Sequence, residues 1–222
     1  MGWPRQLIFV RHAESVGNAL QVCGNSGLIE PTHVYGLTEL GREQARLTGK
    51  FLSSQYRPTI FYTSYYERSK ETMRFMFRDA LSIEDSRLAE VSRGIYNYFS
   101  LNQIKEKYPE ELKRKDFEGL YHYRPPGGEN WPDIELRIHS FIETLKNEHE
   151  EENVVISGHN LWLVLFQKII QHYSISEAME RFNNSGFENA SITLYESPTH
   201  KRLALRYENL IPYRGTLLDV KV

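Results

Sequence analysis

The chain alternates short unbroken apolar runs with longer stretches in which apolar residues recur every three or four positions. Leu7-Ile8-Phe9-Val10 reads as a buried strand, and Val154-Val155-Ile156 is too short and too β-branched for anything but a central one. Thr59 to Thr63 is a further β-rich segment. Thr38 to Gln55 carries Leu40, Ala45, Leu47, Phe51 and Leu52 close to a helical stripe, and a second helix is predicted from about Glu67 to Arg78. Ile134, Ile138, Phe141, Ile142 and Leu145 mark an amphipathic helix. Leu161 to Ile170 is apolar nearly all round, which predicts a largely buried one.

Local punctuation refines this outline. Ser100 with Gln103 forms a capping box opening a short helix that Pro109 limits, and Ser174 with Glu177 suggests another. Pro125-Pro126-Gly127-Gly128 is a rigid turn. Ala190 to Glu196 and Arg202 to Glu208 are predicted as two late strands around a turn at Pro198. No repeat, low-complexity segment or linker interrupts residues 1–222, which predicts one domain. Strands alternating with helices indicate an α/β fold: a mainly parallel central sheet with helices on both faces.

Composition narrows the setting. At 222 residues the chain is long enough for a sizeable core, and 40% hydrophobic with 25% charged residues is ordinary for a globular protein. A net charge of −2 gives no electrostatic case for nucleic acid or a membrane surface, so any anion site must be local. The single cysteine, Cys23, excludes an internal disulfide framework and fits a reducing compartment. No apolar stretch reaches membrane-span length, and no basic-then-apolar leader opens the chain. Gln6 stands where a myristoylation signal needs Ser or Thr. The glycosylation patterns at Asn183-Asn184-Ser185 and Asn189-Ala190-Ser191 carry little without a secretion signal. The expected location is cytoplasmic.

Chemistry-bearing residues follow three predicted strands. The first delivers Arg11 and His12, the second Ser64 and then Arg68, and Val154–Ile156 delivers Ser157-Gly158-His159-Asn160. Neighbouring parallel strands would gather these groups at one edge of the sheet, where open α/β sheets bind ligands.

Arg11-His12-Ala13-Glu14-Ser15 followed by Asn18 resembles the signature of the histidine phosphatase superfamily, the phosphoglycerate-mutase-like proteins. Further segments resemble that family in the expected order. They are Gly36-Leu37-Thr38-Glu39-Leu40-Gly41 with Gln44-Ala45, Thr63-Ser64 through Arg68 with Glu71-Thr72, and Leu88, Glu90 and Gly94 in an L-x-E-x-x-x-G pattern. Pro126-Gly127-Gly128-Glu129 with Asp133 and Arg137 looks like the phosphatase branch. The resemblance runs from about Leu7 to Phe166, and no motif is matched beyond it. Ala13 replaces a common glycine, and Asn160 stands where the family usually has one.

The resemblance implies a phosphoryl group carried on His12, and the chemistry of that transfer assigns the rest. A histidine nucleophile must be neutral and aimed, with its other ring nitrogen held. Charge on the phosphoryl oxygens needs fixed cationic donors, for which Arg11 and Arg68 supply forks and His159 a second imidazole. Ser15, Asn18 and Asn160 are the expected remaining substrate contacts. Glu90, chosen on the resemblance, is the expected general acid and base. Two arginines and a second histidine make a metal or cofactor unnecessary. The expected partner is a small phosphorylated molecule, with a homodimer left open.

The leading expectation is therefore a metal-independent phosphomonoesterase. A cofactor-dependent phosphoglycerate mutase is the alternative, for which Lys113-Arg114-Lys115 and Arg124 are candidate carboxylate holders. A catalytically silent binding module ranks below both, because every catalytic part is present. Glu14 is expected to be structural, since its charge beside the nucleophile would repel phosphate. Tyr96, Tyr98 and Phe99 are divided between lining a pocket and ordinary packing.

Overall fold

A computed structural model describes residues 2–22, 32–184 and 186–214, with the side chains of Gln21 and Val22 excluded. Cys23 and Ser185, each named above, lie outside that set. The elements follow in chain order as β1 (Gln6–Arg11), α1 (Val16–Val22), α2 (Glu39–Gln55), β2 (Ile60–Thr63), α3 (Glu67–Met76), β3 (Ile83–Glu84), α4 (Leu101–Lys107), α5 (Pro109–His122), α6 (Trp131–Glu148), β4 (Asn153–Gly158), α7 (Asn160–Gln171), α8 (Ile175–Asn184), β5 (Ile192–Glu196) and β6 (Ala204–Leu210).

The six strands form one sheet in the order β3-β2-β4-β1-β5-β6. β3, β2, β4 and β1 pair in parallel, while β5 runs antiparallel between β1 and β6. β4 and β1 sit at the centre with both faces covered, which explains their continuous apolar runs. Alternate residues serve opposite layers. Leu7, Phe9, Val154 and Ile156 meet α6 and α7, whereas Ile8, Val10 and Val155 meet α2 and α3. In the first layer, Trp162 stacks on Phe9 and on Phe166 at 5.4 Å each, with Phe141 edge-on at 6.0 Å. Helices on both faces of a mostly parallel sheet are the architecture expected from the sequence.

The capping boxes at Ser100–Gln103 and Ser174–Glu177 form as their spacing predicts. Thr38 caps α2, its hydroxyl accepting from Gly41 N at 3.0 Å. One expectation is met and extended. Pro109 does not merely limit α4 but opens α5 at its first position, where a missing N–H costs nothing. α5 is interrupted only at Gly119, whose φ of 74° is left-handed. The two late strands form as expected: β5 inserts beside β1, and the segment leading into it supports the nucleophile loop.

Candidate active site

Register aligns the ends of three strands. Arg11 pairs with Gly158 across β1 and β4, and Thr63 with Ser157 across β2 and β4. The residues that follow each strand therefore converge. They border a cavity of about 190 Å³ lined by Arg11, His12, Ser15, Asn18, Arg68, Glu90 and Asn160, with Thr32, Tyr35, Arg93 and Phe182 among its other walls. His159 lies beneath it, fully buried, its ring centroid 5.4 Å from that of His12.

The imidazole of His12 has an assignable tautomer. Its Nδ1 lies 2.8 Å from the Ala13 carbonyl oxygen, which only accepts, so Nδ1 carries the proton and Nε2 the lone pair. Burial, reinforced by Arg68 and Arg11, holds its pKa well below the ordinary imidazole value, so the ring is neutral at physiological pH. Ala13 is itself fixed, its N–H donating to Thr72 Oγ1 at 2.9 Å.

His159 takes the other tautomer. Arg68 Nη2 stands 3.3 Å from its Nδ1 and a guanidinium only donates, so Nδ1 accepts. Nε2 then carries the proton and donates to Ser64 Oγ at 2.7 Å. Burial, followed by Arg68 and then His12, depresses this pKa as well. Arg68 donates from Nη1 to Thr32 O at 2.7 Å and lies 4.4 Å over the Tyr66 ring. Burial brings its pKa down to about 10, against the pull of Glu90, which leaves it charged at neutral pH. Arg11 is tied to the Phe187 carbonyl, and its Nε is buried without a partner among the described residues. An unpaired buried guanidinium nitrogen beside a cavity is suited to an anion.

The segments flanking these groups act as braces. Gln44 accepts from Glu14 N at 2.9 Å, and Glu14 accepts from the Thr38 hydroxyl at 2.7 Å. That places Glu14 in the structural role expected of it. A Cβ on Gly41 would collide with the Glu14 carbonyl, so α2 packs this closely only because residue 41 lacks a side chain. Asn189 donates to the His12 carbonyl at 2.9 Å, and Ala190 N to the Arg11 carbonyl at 3.0 Å.

The Glu90 stretch has no regular structure of its own and is held from outside. Arg137 donates to the carbonyls of Arg87 at 2.9 Å and Ala89 at 3.0 Å, and Trp162 Nε1 to that of Arg87 at 2.9 Å. Glu129 binds Arg137 and accepts from Ser92 N at 2.9 Å. Gly94, at φ 52°, lies against the Pro126–Gly128 turn, where a Cβ would strike the Pro126 carbonyl. Asp133 closes the capping box of α6 with Asn130.

Two expected contacts sit differently from a bare ligand position. Asn160 Oδ1 accepts from Phe187 N at 2.8 Å, so this side chain also fixes the loop that holds Arg11. Asn18 Oδ1 accepts from both the N–H and the hydroxyl of Ser15, at 3.1 and 3.0 Å. Of the cations weighed for a mutase, Lys113 pairs with Glu110, Arg114 with Glu111 and Glu118, and Arg124 with Asp133. Lys115 instead faces a neighbouring cavity. Tyr96 lines that cavity, Tyr98 is exposed, and Phe99 packs on Tyr108.

Sequence reasoning gave no role to Arg93, Phe182 and Asn189, nor to the hydroxyls of Ser64 and Thr72. Ser64 and Thr72 stood inside matched segments, the one just after β2 and the other within α3, so their place in those segments was the available signal. Among the described residues, no group of three or more His, Cys, Asp or Glu could hold a metal ion, and no helix is long and apolar enough to cross a membrane.

Comparison with known proteins gives the family and the fold. The family model of the histidine phosphatase superfamily (branch 1) matches residues 7–210. The chain is 30% identical over 210 residues to a phosphoglycerate mutase-like protein of Arabidopsis thaliana, covering 82% of this chain and 71% of that one. It is 27% identical over 204 residues to phosphoserine phosphatase 1 of Hydrogenobacter thermophilus, covering 90% of each. In fold it resembles a putative alpha-ribazole-5'-P phosphatase from Escherichia coli, with a TM-score of 0.75 at 18% identity over 94% of this chain and 98% of that one. A mycobacterial glucosyl-3-phosphoglycerate phosphatase gives a TM-score of 0.71 at 22% identity, over 93% and 99%.

Proposed function

Since the chain belongs to branch 1 of the histidine phosphatase superfamily, we propose that it is a metal-independent phosphomonoester hydrolase working through a phosphohistidine on His12. The observation that carries this reading is a neutral His12, its Nε2 lone pair free among the described residues, in one cavity with two charged and largely buried arginines.

In the first half-reaction Nε2 attacks phosphorus, the N–P bond forms, and the P–O bond to the alcohol breaks. Arg11 and Arg68 hold the non-bridging oxygens, where low local dielectric strengthens each contact. The departing alkoxide takes its proton from the carboxylic acid of Glu90. In the second half, water attacks phosphorus, Glu90 accepts the water's proton, and the N–P bond breaks to release phosphate and neutral His12. His159 enters with Nδ1 unprotonated and Nε2–H anchored on Ser64, so it serves mainly to orient Arg68. Ser15 and Asn18 border the phosphate position, while Asn160 supports it through Phe187.

A mutase would need enclosed cations for the carboxylate of a small acid. Three of the four cations suggested for that part are already ion-paired to their own neighbours. A silent binding module would have no use for a neutral histidine against two desolvated arginines.

The test is phosphate release from p-nitrophenyl phosphate, with acid-labile phosphoenzyme trapped in parallel. His12→Ala is expected to abolish both while keeping the parent circular-dichroism spectrum. Near-normal turnover in this variant overturns the mechanism. Isomerised 3-phosphoglycerate with little free phosphate favours the mutase.

A further inference from the structure

A second cavity, of about 250 Å³, adjoins the first, and the two share Val91, Arg93, Leu161 and Phe182 as lining. Its other walls are mainly rings and hydrocarbon, including Tyr96, Tyr123 and Trp131. The Tyr123 hydroxyl and the Glu129 carboxylate at these walls are already engaged. Tyr123 Oη donates to Glu111 at 3.0 Å, and the Glu129 carboxylate is taken up by Arg137 and Ser92 N. Trp131 lies edge-on to Phe182 at 5.2 Å, which fixes that corner.

Two cations at this cavity have no ion pair among the described residues: Arg93, which is exposed, and Lys115, which is half-buried. Lys115 Nζ lies 5.4 Å from the Tyr96 ring centroid, so its position is set by that ring rather than by a carboxylate. Its helix neighbours Lys113 and Arg114 are neutralised by glutamates, so the unpaired charge is particular to the residue facing the cavity.

We propose that the alcohol released by this enzyme carries an apolar ring seated between Tyr96, Tyr123 and Phe182, and a carboxylate read by Lys115. This rests on the hydrolase reading above, because the adjoining cavity receives a leaving group only if the phosphoryl group sits at His12. Ring and wall gain from removal of apolar area from water. A sugar or an amino acid would instead bury hydroxyl or ammonium groups against walls that offer few free partners. Arg93, on the border of both cavities, stands between the two anionic ends of such a substrate.

The experiment measures kcat/KM for glycerol 1-phosphate, 2-phenylethyl phosphate and 2-(4-carboxyphenyl)ethyl phosphate, three alkyl esters whose alcohols are all weakly acidic. Each step is expected to raise kcat/KM about tenfold, as burial of a ring and a charge-assisted contact do. Lys115→Gln is expected to remove most of the second step, and Lys115→Arg to restore it. A flat or inverted series, or a carboxylate advantage intact in Lys115→Gln, overturns the inference even where p-nitrophenyl phosphate is hydrolysed. Failure to release phosphate from any ester, p-nitrophenyl phosphate included, brings down the hydrolase reading and this inference with it.

Discussion

Removing the Ser64 hydroxyl isolates the group that sets the second imidazole. Ser64 and His159 are both fully buried, and Oγ lies 2.7 Å from Nε2. Because Arg68 occupies Nδ1 as a donor, Nε2 must carry the proton and has Ser64 as its acceptor. Ser64→Ala leaves that N–H buried and unpaired, at a cost of about 1–3 kcal/mol. Where this is felt in the transition state, kcat/KM falls roughly 5-fold to 150-fold. Where it is felt only in the folded ground state, Tm falls by roughly 2–12 °C at this chain length. Steady-state kinetics on an aryl phosphate, with calorimetry on the same samples, separates the two. The inhibition constant of inorganic phosphate is a third reading, because a misplaced Arg68 weakens oxyanion binding whatever the leaving group. A variant with unchanged Tm, unchanged phosphate inhibition and kcat/KM within about twofold of the parent, the scatter of neutral surface changes, refutes the reasoning.

Glu90→Gln is expected to slow alkyl phosphates by about 10²–10⁴ and p-nitrophenyl phosphate far less, because only the poor leaving group needs a proton. Equal losses on both move the acid to another residue. Gly94→Ala forces a left-handed residue against the Pro126 carbonyl, so it should cost about 1–3 kcal/mol and reduce turnover by displacing the Glu90 stretch, measured by calorimetry and rate. Full stability and activity there would mean the loop relaxes freely. Acid should also destabilise the fold. His12 and His159 have folded pKa values depressed below the ordinary value near 6.5, so the unfolded chain binds more protons between the two values. Stability is complete above about pH 6.5 and is lost as pH falls, by at most about 1.4 kcal/mol per pH unit for each histidine. The Tm–pH slope below pH 6.5 should be shallower in His159→Gln. An identical slope assigns the acid limb elsewhere.

Much of the framework was legible because its causes are local. The runs at residues 7–10 and 154–156 are apolar on both sides, and only a strand between two helical layers suits them. Thr38, Ser100 and Ser174 announce helix starts through hydroxyls that reach the backbone N–H three residues on. Strand ends bearing Arg11-His12, Ser64 and His159 point to one edge once the sheet is parallel. Glu90 had no such signal. Its stretch has neither helical nor strand period, and only resemblance singled it out.

The sequence by itself determined the alternation of strands and helices, the capped helix starts, and the residue types gathered at the sheet edge. Tertiary structure decided what those side chains face. Pairing β5 against β1 brings Phe187 and Asn189 onto Arg11 and His12 from far along the chain. Arg137 and Glu129, on and just before α6, give the Glu90 stretch the backbone partners it lacks locally. Lys113, Arg114 and Lys115 are adjacent and alike in charge, yet two meet glutamates on their own helix while the third meets Tyr96 across a cavity. Periodicity and capping act over one helical turn or two adjacent positions, so they are written in the chain. Ring tautomers, desolvation and unpaired charge depend on neighbours tens of residues away, and only packing supplies those.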